Sequence, residues 1–189
     1  MRLLQRIKQF SLIIILTVAS IVTMASPAGA TGTPDTNGSG SSRASASAPA
    51  YTIDNYAVDI TVNQFNQLHI EETIKATFHQ QRHGIVRSLA KVNHVARMDG
   101  SKSTVNAKIS NLKVLSHHFT TSESSNFTNI KIGDPNAYAK TNETYRLSYD
   151  YDLGTDQLSR ADEFYFNIIG AGWNTGITKV DFHITMPQE

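Results

Sequence analysis

The sequence predicts an all-β fold, an antiparallel β-sandwich that is immunoglobulin-like in the broad sense. Three observations carry that prediction. Apolar side chains recur at every second position over long stretches after Tyr51. Turn-forming residues separate these stretches at regular spacing, and no helical period is visible after the N-terminal segment. Strict alternation marks strands with one face buried, and about eight such runs joined by short turns define a sandwich.

The chain has 189 residues, with 17 basic, 16 acidic and no cysteine side chains. Residues 1–30 have the layout of an export signal. Arg2, Arg6 and Lys8 precede an apolar run from Phe10 to Val22, and small residues lead to Ala28-Gly-Ala30. A basic start, an apolar core and a small-residue site are what signal processing reads. The alternative is an uncleaved N-terminal anchor, because no charge falls between Phe10 and Ala30. Three of the 17 basic residues and none of the 16 acidic ones lie in this segment, which leaves 14 against 16 and a net charge of −2. No basic patch remains to bind nucleic acid. A cysteine-free exported chain has no disulfide staples, thiolate zinc site or cysteine nucleophile.

Residues 31–50 are Ser, Ala, Gly, Thr, Pro and Asn with two charges, Asp35 and Arg43. Such a run buries too little apolar surface to offset its ordering entropy and reads as a flexible linker. Residues 51–189 form the predicted sandwich domain. Tyr56, Val58, Ile60 and Val62 share one face of a first strand, and Leu68, Ile70, Ile74, Ala76 and Phe78 one face of a second. The short connection at Phe65-Asn-Gln67 makes these a hairpin. Gly84 to Val92 holds a short strand, followed by a turn at Asp99-Gly100. Val105, Ala107 and Ile109 alternate, and Leu112 and Val114 resume in the opposite phase, which predicts a bulge at Ser110-Asn111.

Ile130 and Ile132 lead into Gly133-Asp-Pro-Asn136, where Pro presets φ and Asn tolerates a left-handed backbone. Tyr145, Leu147, Tyr149, Tyr151 and Leu153 form an aromatic-rich strand face. The stretch Asp162 to Trp173, with the single Trp, reads as a central strand buried on both faces that ends in a tight glycine-containing turn. Its core motif is Phe164, Phe166, Asn167, Gly170 and Trp173. Val180, Phe182, Ile184 and Met186 then alternate to the end. The chain stops just after Pro187, which leads us to expect that the domain continues beyond it.

Glu72 is the most informative residue, because its phase places it among Ile70, Ile74 and Phe78. An unpaired carboxylate there would cost several kcal/mol, so it needs a partner. Arg87, between Ile85 and Leu89, poses the matching problem, and the economical solution is a structural ion pair across adjacent strands. A catalytic acid at Glu72, or a bulge that turns it outward, are the alternatives.

Other chemistry is weakly signalled. Asp162-Glu163 and Glu71-Glu72 contain carboxylates for an acid/base pair, but neighbours on a strand point to opposite faces, and solvated strand ends are the simpler reading. Calcium at Asp162 and Glu163 lacks any supporting spacing. His79 and His83, and His117-His118, read as exposed loop histidines, with no zinc motif. Tyr138, Tyr145, Tyr149, Tyr151, Tyr165 and Trp173 could stack on sugar rings, but alternation places most of them in the core. We therefore expect no catalytic residues, no metal and no cofactor.

Six pieces in order resemble one family, the predicted bacterial membrane proteins grouped as domain of unknown function 2207. They are Tyr56-Ala-Val-Asp-Ile60, Ile70-Glu-Glu-Thr-Ile74 with Phe78, Gly84-Ile-Val-Arg87, Ile130-Lys-Ile-Gly-Asp134, Thr144-Tyr-Arg-Leu-Ser-Tyr149, and Asp162-Glu-Phe-Tyr-Phe-Asn167 with Gly170 and Trp173. Phe166 stands where the family pattern has Trp, and Ser88-Leu-Ala90 lacks a Pro that often follows the Arg. The resemblance implies an extracytoplasmic N-terminal domain held at the cell surface, with membrane spans and a Gly-rich tail further on. It supplies no catalytic residues. The expected role is a non-enzymatic envelope domain for interaction or sensing, with an envelope protein or glycan as partner. Membrane association would run through the N-terminal segment or a C-terminal span. A carbohydrate-binding module or a carboxylate-dependent glycan hydrolase is the alternative.

Overall fold

The computed structural model describes residues 48–97, 100–154 and 164–187. The predicted signal at 1–30 and nearly all of the linker at 31–50 lie outside the described residues, as do Asp99, Asp162 and Glu163. The described residues contain ten strands and no helix. β1 (Tyr51–Val62) and β2 (Gln67–Phe78) form the hairpin read from their alternation. Asn63 turns the chain, its Oδ1 accepting the backbone N–H groups of Phe65 (2.9 Å) and Gln67 (3.0 Å).

Beyond the hairpin come β3 (Ile85–Ala90), β4 (Val92–Ala96), β5 (Lys102–Asn106) and β6 (Lys108–Val114). They are followed by β7 (Phe119–Glu123), β8 (Phe127–Ile132), β9 (Asn142–Asp152) and β10 (Val180–Thr185). One sheet has the order β10-β1-β2-β9-β6, a second β3-β8-β7, and β4-β5 make a separate ribbon. The two larger sheets bury a shared core of Ile53, Tyr56, Val58, Ile60, Leu68, Ile70, Ile74, Ile85, Ile130, Ile132, Tyr145 and Tyr149. Each fully buried aliphatic side chain contributes about 1.5–3 kcal/mol. This continuous apolar face sets the register of every strand that meets it.

Four features depart from the sequence reading. There are ten strands where about eight were expected, because β4 and β7 lack clean alternation. The run from Val105 to Ile109 is not one strand. Ala107 breaks it, its N–H donating to the Lys91 carbonyl (2.7 Å) as the chain leaves the ribbon for the large sheet. β10 lies parallel to β1, from Tyr56↔Val180 to Thr61↔Thr185, so the large sheet is not wholly antiparallel.

Finally, Phe164 to Trp173 is not a central strand. Its one ladder contact is an isolated bridge between Ala171 and Ser88. Gly170 (φ 76°) and Gly172 (φ 85°) take left-handed backbone conformations that interrupt extended geometry. Asn167 Oδ1 accepts the Gly170 N–H (3.0 Å), and the Trp173 indole N–H donates to the Ile169 carbonyl (2.8 Å), so the segment curls on itself. Phe164 and Ile168 are buried, while Phe166 and Trp173 are half-buried against the core. From here the chain runs along β1, with Thr175 Oγ1 donating to the Tyr51 carbonyl and Ile53 N–H to Gly176 (3.1 Å), and enters β10.

The bulge in β6 lies where the phase slips. Pairing with β9 is interrupted between Ser110 and Lys113, and Asn111 has φ 53°.

Candidate functional site

The charged centre of the molecule is assembled from both sheets. Glu72 comes from β2, in phase with buried Ile70 and Ile74, and Arg87 from β3, in phase with buried Ile85 and Leu89. Each is 2% exposed. The guanidinium grips the carboxylate at two points, Nε donating to Oε2 (2.9 Å) and Nη2 to Oε1 (2.8 Å). This is the planar fork-to-fork geometry that Arg offers and Lys cannot. The pair does not join adjacent strands of one sheet, as the sequence reading had it. β2 is flanked by β1 and β9, and β3 by β8, so the contact links the two sheets across the core.

Further hydrogen bonds are made to neighbouring groups. Arg87 Nη2 also donates to the Tyr56 hydroxyl (2.9 Å), and Nη1 donates to the Ser88 carbonyl (2.9 Å). The Tyr149 hydroxyl donates to Glu72 Oε1 (2.7 Å). The Trp173 ring lies 5.2 Å from the guanidinium carbon and the Tyr56 ring 5.7 Å, both within cation–π range. Gly170 completes the enclosure. A Cβ at that position would lie 2.5 Å from Arg87 Nη1. The motif residues Gly170 and Trp173 thus close over the arginine, while Asn167 shapes their turn and Phe164 anchors it in the core. Phe166 packs edge-on against Tyr151 (5.3 Å).

Burial pushes the Glu72 carboxyl upward, but the charge and hydrogen bonds of Arg87 and the Tyr149 hydroxyl outweigh it and hold Glu72 below the ordinary carboxylate range. Burial likewise pulls Arg87 down, and the facing carboxylate more than reverses this. Tyr56 and Tyr149 are pushed well above the ordinary phenol value, first by burial. The pair stays ionised and the phenols stay neutral donors. Such an arrangement fixes the two sheets to each other through a buried, hydrogen-bonded ion pair.

The other candidates are dispersed. Glu71 is exposed on the outer face of the large sheet, 3.9 Å from His69. Asp162 and Glu163 lie outside the described residues. His79 Nε2 contacts Thr52 Oγ1 (3.2 Å), whereas His83 Nδ1 bonds the Ala137 carbonyl (2.9 Å) and stacks on Tyr138 (4.7 Å), so the two do not converge. His117 contacts Glu143 (3.4 Å) and Tyr145. Among the described residues no three His, Cys, Asp or Glu side chains gather as metal ligands. Tyr145, Tyr149 and Tyr151 are core residues, Tyr165 is half-buried, and Tyr138 is exposed. They form no shared platform.

Sequence reasoning missed Tyr56 and Tyr149 as members of the charged centre. Both sit in the apolar phase and read as packing residues. Their signal was available in the hydroxyl, which a buried tyrosine must satisfy. It also missed that Tyr151 donates to the Ala90 carbonyl (2.7 Å) and accepts from Asn93 Nδ2 (2.8 Å), tying β9 to the β3–β4 junction.

Fold and site together define an all-β sandwich domain whose ionised centre is sealed between its sheets. Residues 52–189 match the family described as the N-terminal domain of a predicted membrane protein, DUF2207, and the chain belongs to that family. No curated protein matches the chain. Among solved structures, the M1 zinc metallopeptidase from Deinococcus radiodurans aligns at 16% identity and a TM-score of 0.33, covering 58% of this chain and 21% of that one. A mutant of it bound to a Tyr-Ser-Ala substrate aligns at 17% identity and a TM-score of 0.35, covering 58% and 22%. The chain thus spans about a fifth of the structures it aligns with. Likeness at this level carries no inference to this chain. Among the described residues, no helix is long and apolar enough to cross a membrane.

Proposed function

We propose that this is a non-enzymatic domain presented on the outer side of a bacterial cell envelope, where it serves interaction or sensing for a membrane protein. The observation that carries the reading is the sealed Glu72–Arg87 centre. The charged residues that stand out in the core are bonded to each other and to two tyrosines and are 2% exposed, which supports a structural role for them. Membership in a family of predicted membrane proteins supports attachment to a membrane. The basic, apolar and small-residue order of residues 1–30 supports export. The linker composition that follows supports a domain displayed at a distance from its anchor.

The absence of cysteine makes location directly testable. Phe65, in the β1–β2 turn, is 67% exposed, so Phe65→Cys places a single thiol on the surface. A membrane-impermeant maleimide added to intact cells should label this variant as fully as it does after lysis. Labelling that requires lysis would overturn the extracytoplasmic reading. Release of reducing sugar ends from isolated cell-wall glycan by the purified full chain would instead establish the hydrolase.

A further inference from the structure

The free edge of the large sheet carries a second inference, independent of the domain's location. We propose that β10 is a docking edge for a second copy of this chain, joined antiparallel about a two-fold axis through Phe182.

Three observations lead there. First, β10 is the outermost strand beside β1, and its pairing is continuous from Val180 to Thr185 without a bulge. The other edges of the two larger sheets are blunted. β6 carries the bulge at Ser110–Lys113, β3 is bridged by Ala171, and β7 is a five-residue strand whose side chains are all exposed. Second, Val180, Phe182 and Ile184 pair with buried Tyr56, Val58 and Ile60, so they face the core side of the sheet. Phe182 is nevertheless 42% exposed, and among the described residues no strand pairs with β10 on its outer side. Third, the strand is self-complementary. Val180-Asp-Phe-His-Ile184 reads apolar, acid, aromatic, imidazole, apolar, and in reverse it sets imidazole opposite acid and apolar opposite apolar. Centred on Phe182, one copy's Val180 meets the other's Ile184, Phe182 meets Phe182, and each Asp181 meets a His183.

The backbone polarity fits the same register. Tyr56 N–H donates to the Lys179 carbonyl (2.9 Å), so by parallel alternation Lys179, Asp181 and His183 turn their peptide groups toward β1. Val180, Phe182 and Ile184 then offer theirs to the open edge. In an antiparallel pair these would form the hydrogen-bonded positions. Asp181 and His183 would occupy the non-hydrogen-bonded positions, where Cα atoms approach to about 4.5 Å and side chains meet most closely. His183 already lies 3.8 Å from Asp59, and Asp181 2.8 Å from Lys179, but both contacts are solvent-exposed and readily exchanged.

The test again uses the cysteine-free full chain, in detergent or in its own envelope. Phe182→Cys brings two thiols together at the axis, at a Cα separation of about 5.5 Å that a disulfide accepts. A mild oxidant should then give a covalent dimer, while Phe65→Cys gives none. Adding His183→Asp sets Asp against Asp twice and should lower the yield about tenfold. Exchanging the pair, as Asp181→His with His183→Asp, should return it. Trp173 emission reports that each variant is folded, and the unaltered chain should sediment with the mass of two copies. Sedimentation as a single copy, cross-linking at 182 no greater than at 65, capture of a different protein, or indifference to the exchange would each overturn the proposal.

Discussion

Gly170 is the residue on which the enclosure of Arg87 turns. Its φ of 76° is a left-handed conformation that a side chain strains, at a cost of about 1–2 kcal/mol. An added Cβ would also meet Arg87 Nη1 at 2.5 Å and Nη2 at 3.0 Å. A free arginine would swing away, but this one is held by two bonds to Glu72, one to Tyr56 and one to Ser88. Gly170→Ala should therefore lower stability by about 2–3 kcal/mol, adding displacement of the segment to backbone strain. Urea unfolding measures the loss. Because the chain has a single Trp, packed on the same guanidinium, its emission should also shift red in the folded variant. An unchanged spectrum and midpoint would show that the segment does not cap the arginine.

The small sheet depends on a second glycine device, one that works between elements. Gly84 precedes β3 and Gly133 follows β8, and the two cross back to back with φ of 143° each. A Cβ on Gly84 would lie 1.9 Å from the Ile132 carbonyl oxygen, and one on Gly133 would lie 1.8 Å from that of His83. These neighbours are backbone and cannot rotate aside. Gly84→Ala should cost about 3 kcal/mol or more and loosen β3 from β8, with early hydrogen exchange at Ile85–Arg87 while β1 and β2 stay protected. Elements differ in how far their sequence announces them. β1, β2 and β9 were legible because one face of each is continuously buried, which imposes a period of two. β7 was not, since Phe-Thr-Thr-Ser-Glu lies exposed on both faces and no burial shapes its pattern. The stretch from Phe164 to Trp173 misled because a short apolar run looks the same whether it is a strand or a curled cap. Its glycines held the distinction, but φ is not written in composition. The charges at Glu72 and Arg87 stood out by phase, whereas their placement on facing sheets depends on strand order, which is a property of the whole chain.

The charged centre also sets how the molecule as a whole responds to acid. Glu72 is held below its ordinary value of 4.5, so its contribution to stability is fully present above the unfolded-state pKa and is lost as pH falls through the folded one. Glu123, Asp150 and Asp181 are depressed in the same sense by surface partners, and solvent screens them. The acid limb of the stability profile should therefore belong mainly to the buried pair, and two variants separate its parts. Arg87→Met leaves a buried carboxylate without its cation, which costs about 3–5 kcal/mol near neutrality. Desolvation, the largest influence on Glu72, then outweighs the remaining Tyr149 hydrogen bond and raises its pKa, so the folded state binds the proton more tightly than the unfolded one. This variant should gain stability as pH falls from 7 toward 5, a range over which the parent's buried pair contributes unchanged. Glu72→Leu combined with Arg87→Met removes both charges, should recover most of the loss, and should flatten the acid limb to the slope set by the surface carboxylates. Urea midpoints for the three proteins between pH 3 and 7 measure all of this at once. Parallel profiles for the parent and the doubly substituted protein would show that acid acts on this domain elsewhere than between its sheets.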